Sequence, residues 1–137
     1  MNSNPDIVRR FYASLLSGDA AGVGALLSGS VILHVPGQHQ LAGDYHGPAG
    51  VVRFAEASSR LANDECLELI EVLAGETFVA ALCRVRAGRP GVTSLDNSTL
   101  HLARVESGLI AEIWFHNFDQ HAVDAFWGTR QQQGELQ

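Results

Sequence analysis

The segment EIWFHNFDQ, residues 112–120, carries Trp114, His116 and Asp119 where plain apolar residues would serve a fold. Histidine changes charge near neutral pH, so it is the side chain best suited to passing a proton at that pH. His34 breaks the otherwise apolar run VILHVP, either as a hydrogen-bonded core residue or as a pocket base. His101 lies two residues from Thr99, and Asn97 two further back, so the three share one face of any strand. Asp44 and Tyr45, in LAGDYHG, form a lip from which a carboxylate could orient a histidine ring and raise its pKa; the plainer reading of Asp44 is a turn aspartate bonded to its own backbone. His39, His46 and His121, in a loop or at helix starts, are expected in solvent.

These residues need elements to place them. NPDIVRRFYASLLSGD has apolar positions at helical spacing, with Asn4 as cap, Pro5 in the first turn and Gly18 as the stop. A shorter helix capped by Asp19 follows, then a strand through VILHV ended by Pro36 and Gly37. The polar segment from 37 to 47 reads as a loop with a short strand, and GPAGVVRFAEASSRLA as a third helix with Val51 and Phe54 on its apolar side. From there the period becomes two. Two long strands turn at Ala74 and Gly75, two more at Ser107 and Gly108, and a last helix is capped by Asp119.

Helices first and a meander of antiparallel strands afterwards predict an α+β domain over 1–128, with the helices packed on the inner face of a curved, cone-forming sheet. The polar stretch 129–137 is expected to fray. With Ser107 and Gly108 as a two-residue turn, His101 pairs with Trp114, Thr99 with His116 and Asn97 with Phe118, which puts this mixed set on one face. Leu100, Leu102, Ile113 and Phe115 then form an apolar strip on the other. We take the mixed face as the pocket wall and the strip as an outer face covered in a homodimer. A slip of one residue would exchange the two faces.

Composition narrows the function. A formal net charge of −6 without a basic cluster excludes a phosphate-backbone surface, so no nucleic acid is expected. A hydrophobic fraction of 46% with no apolar run near the roughly 20 residues of a membrane span fits a globular chain. The start MNSNPDIVRRF has no charged leader before an apolar run, which predicts a cytoplasmic location. Cys66 and Cys83 fall in apolar runs without CxxC spacing and read as buried thiols. No GxGxxG, P-loop, HExxH or nucleophile elbow is present, so no cofactor is expected.

The element order, with HVPG and LAGDYHG before the third helix, GLIAEIW entering the last strand and FDQHAVDAFW at the end, resembles the SnoaL-like branch of the nuclear transport factor two-like superfamily. The resemblance covers nearly the whole chain. It implies a cone that hosts polyketide cyclases, steroid isomerases, epoxide hydrolases, dehydratases and plain binding proteins. Two residues past Trp114 the cyclases and the limonene epoxide hydrolase type place an aspartate, where this sequence has His116. In the isomerases a tyrosine on the first helix donates to a developing oxyanion, a role that would fall to Tyr12. His34, His101 and His116 could meet as a metal site, which would be unusual in this superfamily, and none is expected. The reading is a cofactor-free cyclase or isomerase acting on a hydrophobic, polyketide- or terpene-like molecule. His116 or His34 serves as base, Tyr12 or His101 steadies the enolate oxygen, and Trp114, Phe118, Asn97, Thr99 and Phe54 shape the pocket. The alternatives are epoxide hydrolysis or dehydration through a water held by His116 and Asp44, or binding without chemistry.

Overall fold

The computed structural model describes residues 3–128, so the expected tail lies outside the described residues. The chain runs α1 (Asn4–Leu16), α2 (Ala20–Ala25), β1 (Leu27–Val35), β2 (Gly43–His46), α3 (Gly47–Leu61), β3 (Asn63–Ala74), β4 (Phe78–Gly88), β5 (Leu95–Glu106), β6 (Leu109–Asn117) and α4 (Gln120–Trp127). The six strands form one curved, unclosed sheet in the order β2-β1-β6-β5-β4-β3, as the α+β reading anticipates. All neighbours are antiparallel except β1 and β6, which run parallel and are joined through β2, α3, β3, β4 and β5.

Local chemistry sets the element ends. The cap of α1 is Ser3 rather than Asn4: its hydroxyl accepts from the Asp6 amide, while the Asn4 side chain instead reaches the Glu76 carbonyl at 2.9 Å. Asp19 and Asp119 cap α2 and α4 by accepting from Gly22 and Ala122 amides. α1 and α3 turn their apolar sides, with Ile7, Val8, Phe11, Tyr12 and Val51, onto the concave face of the sheet. There they meet Val31, Leu33, Val79, Ala81, Cys83, Ala103, Val105 and Ile113. A second cluster of Leu41, Ala62, Ala87, Leu95, Val123, Phe126 and Trp127 packs under α4.

The hairpin of β5 and β6 departs from the expected register. Ser107 and Gly108 do form the turn, with φ of 52° and 78°, the left-handed pair that a tight hairpin requires. Next to the turn Val105 pairs with Ile110, but after it Arg104 pairs with Glu112, leaving Ala111 as an extra residue in a β-bulge. Beyond the bulge His101 therefore pairs with Phe115, Leu102 with Trp114, Leu100 with His116 and Thr99 with Asn117. The faces of β6 exchange while those of β5 stay as expected: Asn97, Thr99 and His101 are joined in the cone by Ile113, Phe115 and Asn117, while Trp114 and His116 look outward with Leu100 and Leu102. The expected apolar strip is split between the two sides. Cys83 is buried as anticipated, whereas Cys66 is exposed.

Candidate functional site

Between the two core clusters the concave face encloses a cavity of about 340 Å³, at the lower end of the range for small-molecule sites. Its walls are chiefly apolar: Phe11 and Leu15 from α1, Phe54 from α3, Leu33 from β1, Phe115 from β6 and Trp127 from α4. Into this lining project a few polar groups, namely Tyr12, His39, Ser58, Ser59, Glu65, Asn97, Thr99, His101 and Asn117.

His101 and Tyr12 are the deepest of these. Strand alternation on β5 points His101 inward, and the helical spacing of α1 lays Tyr12 over it. The Tyr12 hydroxyl stands 2.6 Å from His101 Nδ1, and both residues are buried. Phe115 stacks on the imidazole with ring centroids 3.8 Å apart. Burial, reinforced by the nearby His116 charge, pushes the His101 pKa down to about 3, so the ring is neutral. Burial also holds the Tyr12 hydroxyl protonated, well above its ordinary value, and pushes the Cys83 thiol beside it up to about 11. We assign the hydroxyl as donor to Nδ1, which leaves the imidazole proton on Nε2. A neutral imidazole fixed in this tautomer donates a hydrogen bond and is a poor proton acceptor.

The loop between β1 and β2 contributes His39, which is buried rather than solvated as the sequence suggests. α4 draws that loop in: the Gln38 amide donates to Asp124 at 3.0 Å, and the Gln40 amide to the Gly128 carbonyl at 2.7 Å. Gly37 makes the path possible with φ of 117°, where an added Cβ would lie 2.2 Å from Asp124 Oδ1. The Leu41 amide donates to His39 Nδ1 at 3.1 Å. His46 and His121 are exposed, as expected. Asn97 donates to Asn117 at 3.0 Å, and Asn117 in turn to Gln120 at 2.9 Å, a chain that ties the cavity floor to α4.

The other expected site residues lie outside the cone. His34 points to the convex face, where Nδ1 donates to Asp44 at 2.8 Å and Nε2 to Glu112 at 2.5 Å. Burial alone would lower its pKa, but the hydrogen bonds to Glu112 and Asp44 outweigh it and raise the value. While both nitrogens donate to carboxylates, the ring has no lone pair with which to take a proton. Arg104 also donates to Glu112, at 3.3 Å, and Trp114 stacks on His34 at 5.5 Å. Trp114, His116 and Asp44 line a shallow convex depression instead of the cavity, and Phe118 is 69% exposed. The register places His116 and Trp114 there; Asp44 follows because β2 pairs it with His34. Of the expected wall residues, Phe54, Asn97 and Thr99 do line the cavity. His34, His101 and His116 do not converge, and among the described residues no group of His, Cys, Asp and Glu is arranged to hold a metal. Among those residues, no helix is long and apolar enough to cross a membrane.

Glu65 escapes notice in the sequence, although it stands at i−2 and i−4 to Leu67 and Leu69 and so shares their inward face. It occupies the cavity mouth, with Ser58 Oγ 3.3 Å from Oε1. The residue keeps solvent access, yet desolvation of its carboxyl raises the pKa against the hydrogen bonds of Ser58 and Ser59.

With the fold and cavity in view, comparison places the chain. The SnoaL-like domain matches residues 8–113. The chain belongs to the SnoaL-like family. The uncharacterized protein Rv0034 of Mycobacterium tuberculosis H37Rv is 32% identical over 124 residues, 89% of this chain and 94% of that protein. Bal32a, from a soil-derived mobile gene cassette, superposes with a TM-score of 0.86 at 27% identity, over 91% of this chain and 96% of its own. TerC, co-crystallized with polyporic acid, shares the fold at a TM-score of 0.77 and 15% identity, over 91% and 100% of the two chains.

Proposed function

We propose that this SnoaL-like protein binds a compact, hydrophobic carbonyl compound, polyketide- or terpene-like, and moves a proton on it without a cofactor, as a cyclase or isomerase. The observation that carries the reading is the neutral His101, held in one tautomer by Tyr12 at 2.6 Å inside an apolar cavity. A hydrogen bond donated within a buried, largely apolar site stabilises an enolate oxygen more than a ground-state carbonyl, because charge grows there in the transition state. Tyr12 acts through His101 by fixing its tautomer, and the stacked Phe115 holds the ring plane. His34 and His116 have no part in this scheme, since they face the opposite side of the sheet.

Binding without chemistry is the second reading. In its favour, His101 at about 3 is no base at neutral pH, so it cannot by itself remove a proton. We also propose that a second copy of the chain covers the convex face, where Leu100, Leu102 and Trp114 leave apolar surface only partly covered.

A phenol with the shape of an enolised ketone separates the first two readings. 2-Naphthol, whose hydroxyl stands in for the enol oxygen, is expected to bind the wild type more tightly than 2-tetralone, the matching ketone. His101→Gln is expected to weaken 2-naphthol by about 10-fold, near the worth of one hydrogen bond, while leaving 2-tetralone little changed. Equal losses for both ligands in calorimetry would leave only the binding reading standing.

A further inference from the structure

An enolate-stabilising group without a base would leave the proton where it was, and the groups first expected to take it are unavailable. His34 is fully engaged between two carboxylates, and His116 lies outside the cavity. Inside, the lone pairs on Nδ1 of His101 and of His39 already accept hydrogen bonds, from Tyr12 and from the Leu41 amide. One acidic residue lines the cavity among the described residues, and that residue is Glu65.

We infer that Glu65 is the base that removes and returns the substrate proton, working at the cavity mouth across from the His101 hydrogen-bond donor. The inference rests on the proton-transfer reading above and names its missing partner. Three features of the fold support it. β3 carries an extra residue between Asn63 and Cys66 relative to β4, a bulge in which Asp64 sits in the left-handed region at φ 52°. Such bulges re-aim the next side chain, and here that side chain is Glu65. Ser58, on the facing α3, shares its single hydroxyl proton between Glu65 Oε1 at 3.3 Å and the Ala55 carbonyl at 3.0 Å, and with Ser59 beside it this holds the carboxyl at the cavity wall. Finally, desolvation raises the carboxyl pKa from its ordinary value, in the direction of the working pH where a general base is most effective.

In the step itself, a Glu65 carboxylate oxygen takes the proton from a carbon next to the substrate carbonyl. The C–H electron pair becomes the carbon–carbon double bond, and the carbonyl π pair moves to oxygen, which accepts the His101 Nε2 hydrogen bond. The Glu65 carboxylic acid then returns its proton to the same or a conjugated carbon. The carbonyl re-forms and the carboxylate is regenerated, so no co-reactant is consumed.

The test follows exchange of the α-protons of 2-tetralone for deuterium in D₂O by NMR, with 2-naphthol binding measured on the same preparations. Glu65→Gln, which keeps the size and the Ser58 contact, is expected to lower the exchange rate at least about 100-fold, the usual worth of a general base, with 2-naphthol affinity unchanged. Ser58→Ala, which removes a hydrogen bond to the carboxylate, is expected to move the midpoint of the rate-against-pH profile upward, a change that a purely structural role would not produce. Exchange that survives Glu65→Gln but is lost in His101→Gln would overturn the role of Glu65 and keep the proton-transfer reading. A wild type that binds 2-tetralone without exchanging it would overturn both.

Discussion

At the scale of single residues, the cost of the site is concentrated in His101. A histidine whose pKa falls from about 6.5 in the unfolded chain to about 3 in the folded one binds fewer protons when folded than when unfolded anywhere between those values. Its contribution to stability is therefore complete above the unfolded value and is lost as pH falls toward the folded one. The expected slope is at most about 1.4 kcal/mol per pH unit from this group. Urea unfolding measured from pH 7 to pH 4 should show the wild type losing stability more steeply than His101→Gln, which cannot take up a proton. Parallel curves would mean that the ring is solvated and that the neutral donor invoked for catalysis is absent. The buried partners behave consistently: Tyr12 and Cys83 are both pushed up by burial, so Tyr12, Cys83 and His101 are all uncharged.

At the scale of elements, one extra residue decides what the cavity is made of. Element types and order were legible in the sequence because helical and strand periods are properties of neighbouring residues, and the Ser107–Gly108 turn because left-handed positions favour few residue types. The bulge at Ala111 was not, since alanine carries no mark of being unpaired and the ladder that leaves it out is set by packing across the sheet. With a period of two, that single omission exchanged Trp114 and His116 for Phe115 and Asn117 as pocket wall. The burial of His39 was hidden for a related reason, because it depends on α4 closing over a loop far from it in sequence. Deleting Ala111 should restore the unbulged ladder and drive Trp114 and His116 into the cone while expelling Ile113 and Phe115. The expected outcome is a protein with no cooperative thermal transition by circular dichroism, whereas Ala111→Gly should cost no more than about 1 kcal/mol. A deletion variant that melts like the wild type would show that the bulge can move without consequence.

At the scale of the whole molecule, the two sides of the sheet are covered differently. The concave side is closed by α1, α3 and α4, while the convex side has none of the described helices over it. Leu73 and Phe78 are 48% and 44% exposed there, continuous with Leu100, Leu102 and Trp114. A second copy meeting this face would bury the same surface on each partner, so a single substitution places two like charges close to one symmetry axis. Leu102→Glu is expected to weaken the proposed homodimer by more than about 100-fold, the order of 3 kcal/mol, with the far-ultraviolet spectrum and 2-naphthol binding retained. The His34 cluster on the same face adds a pH signature. Because its folded pKa is raised, the stabilisation it gives is present below about 6.5 and is lost as pH rises through the folded value. Above that value Asp44 and Glu112 share one imidazole proton in place of two, and Arg104 remains as the other cation beside Glu112. That would leave net negative charge facing the proposed second copy. Sedimentation velocity should therefore report a tighter dimer at pH 6 than at pH 9, and His34→Gln should flatten the difference. A wild type that sediments as a monomer at both pH values, or a Leu102→Glu variant that still dimerises, would place the partner elsewhere and leave the convex face to another role.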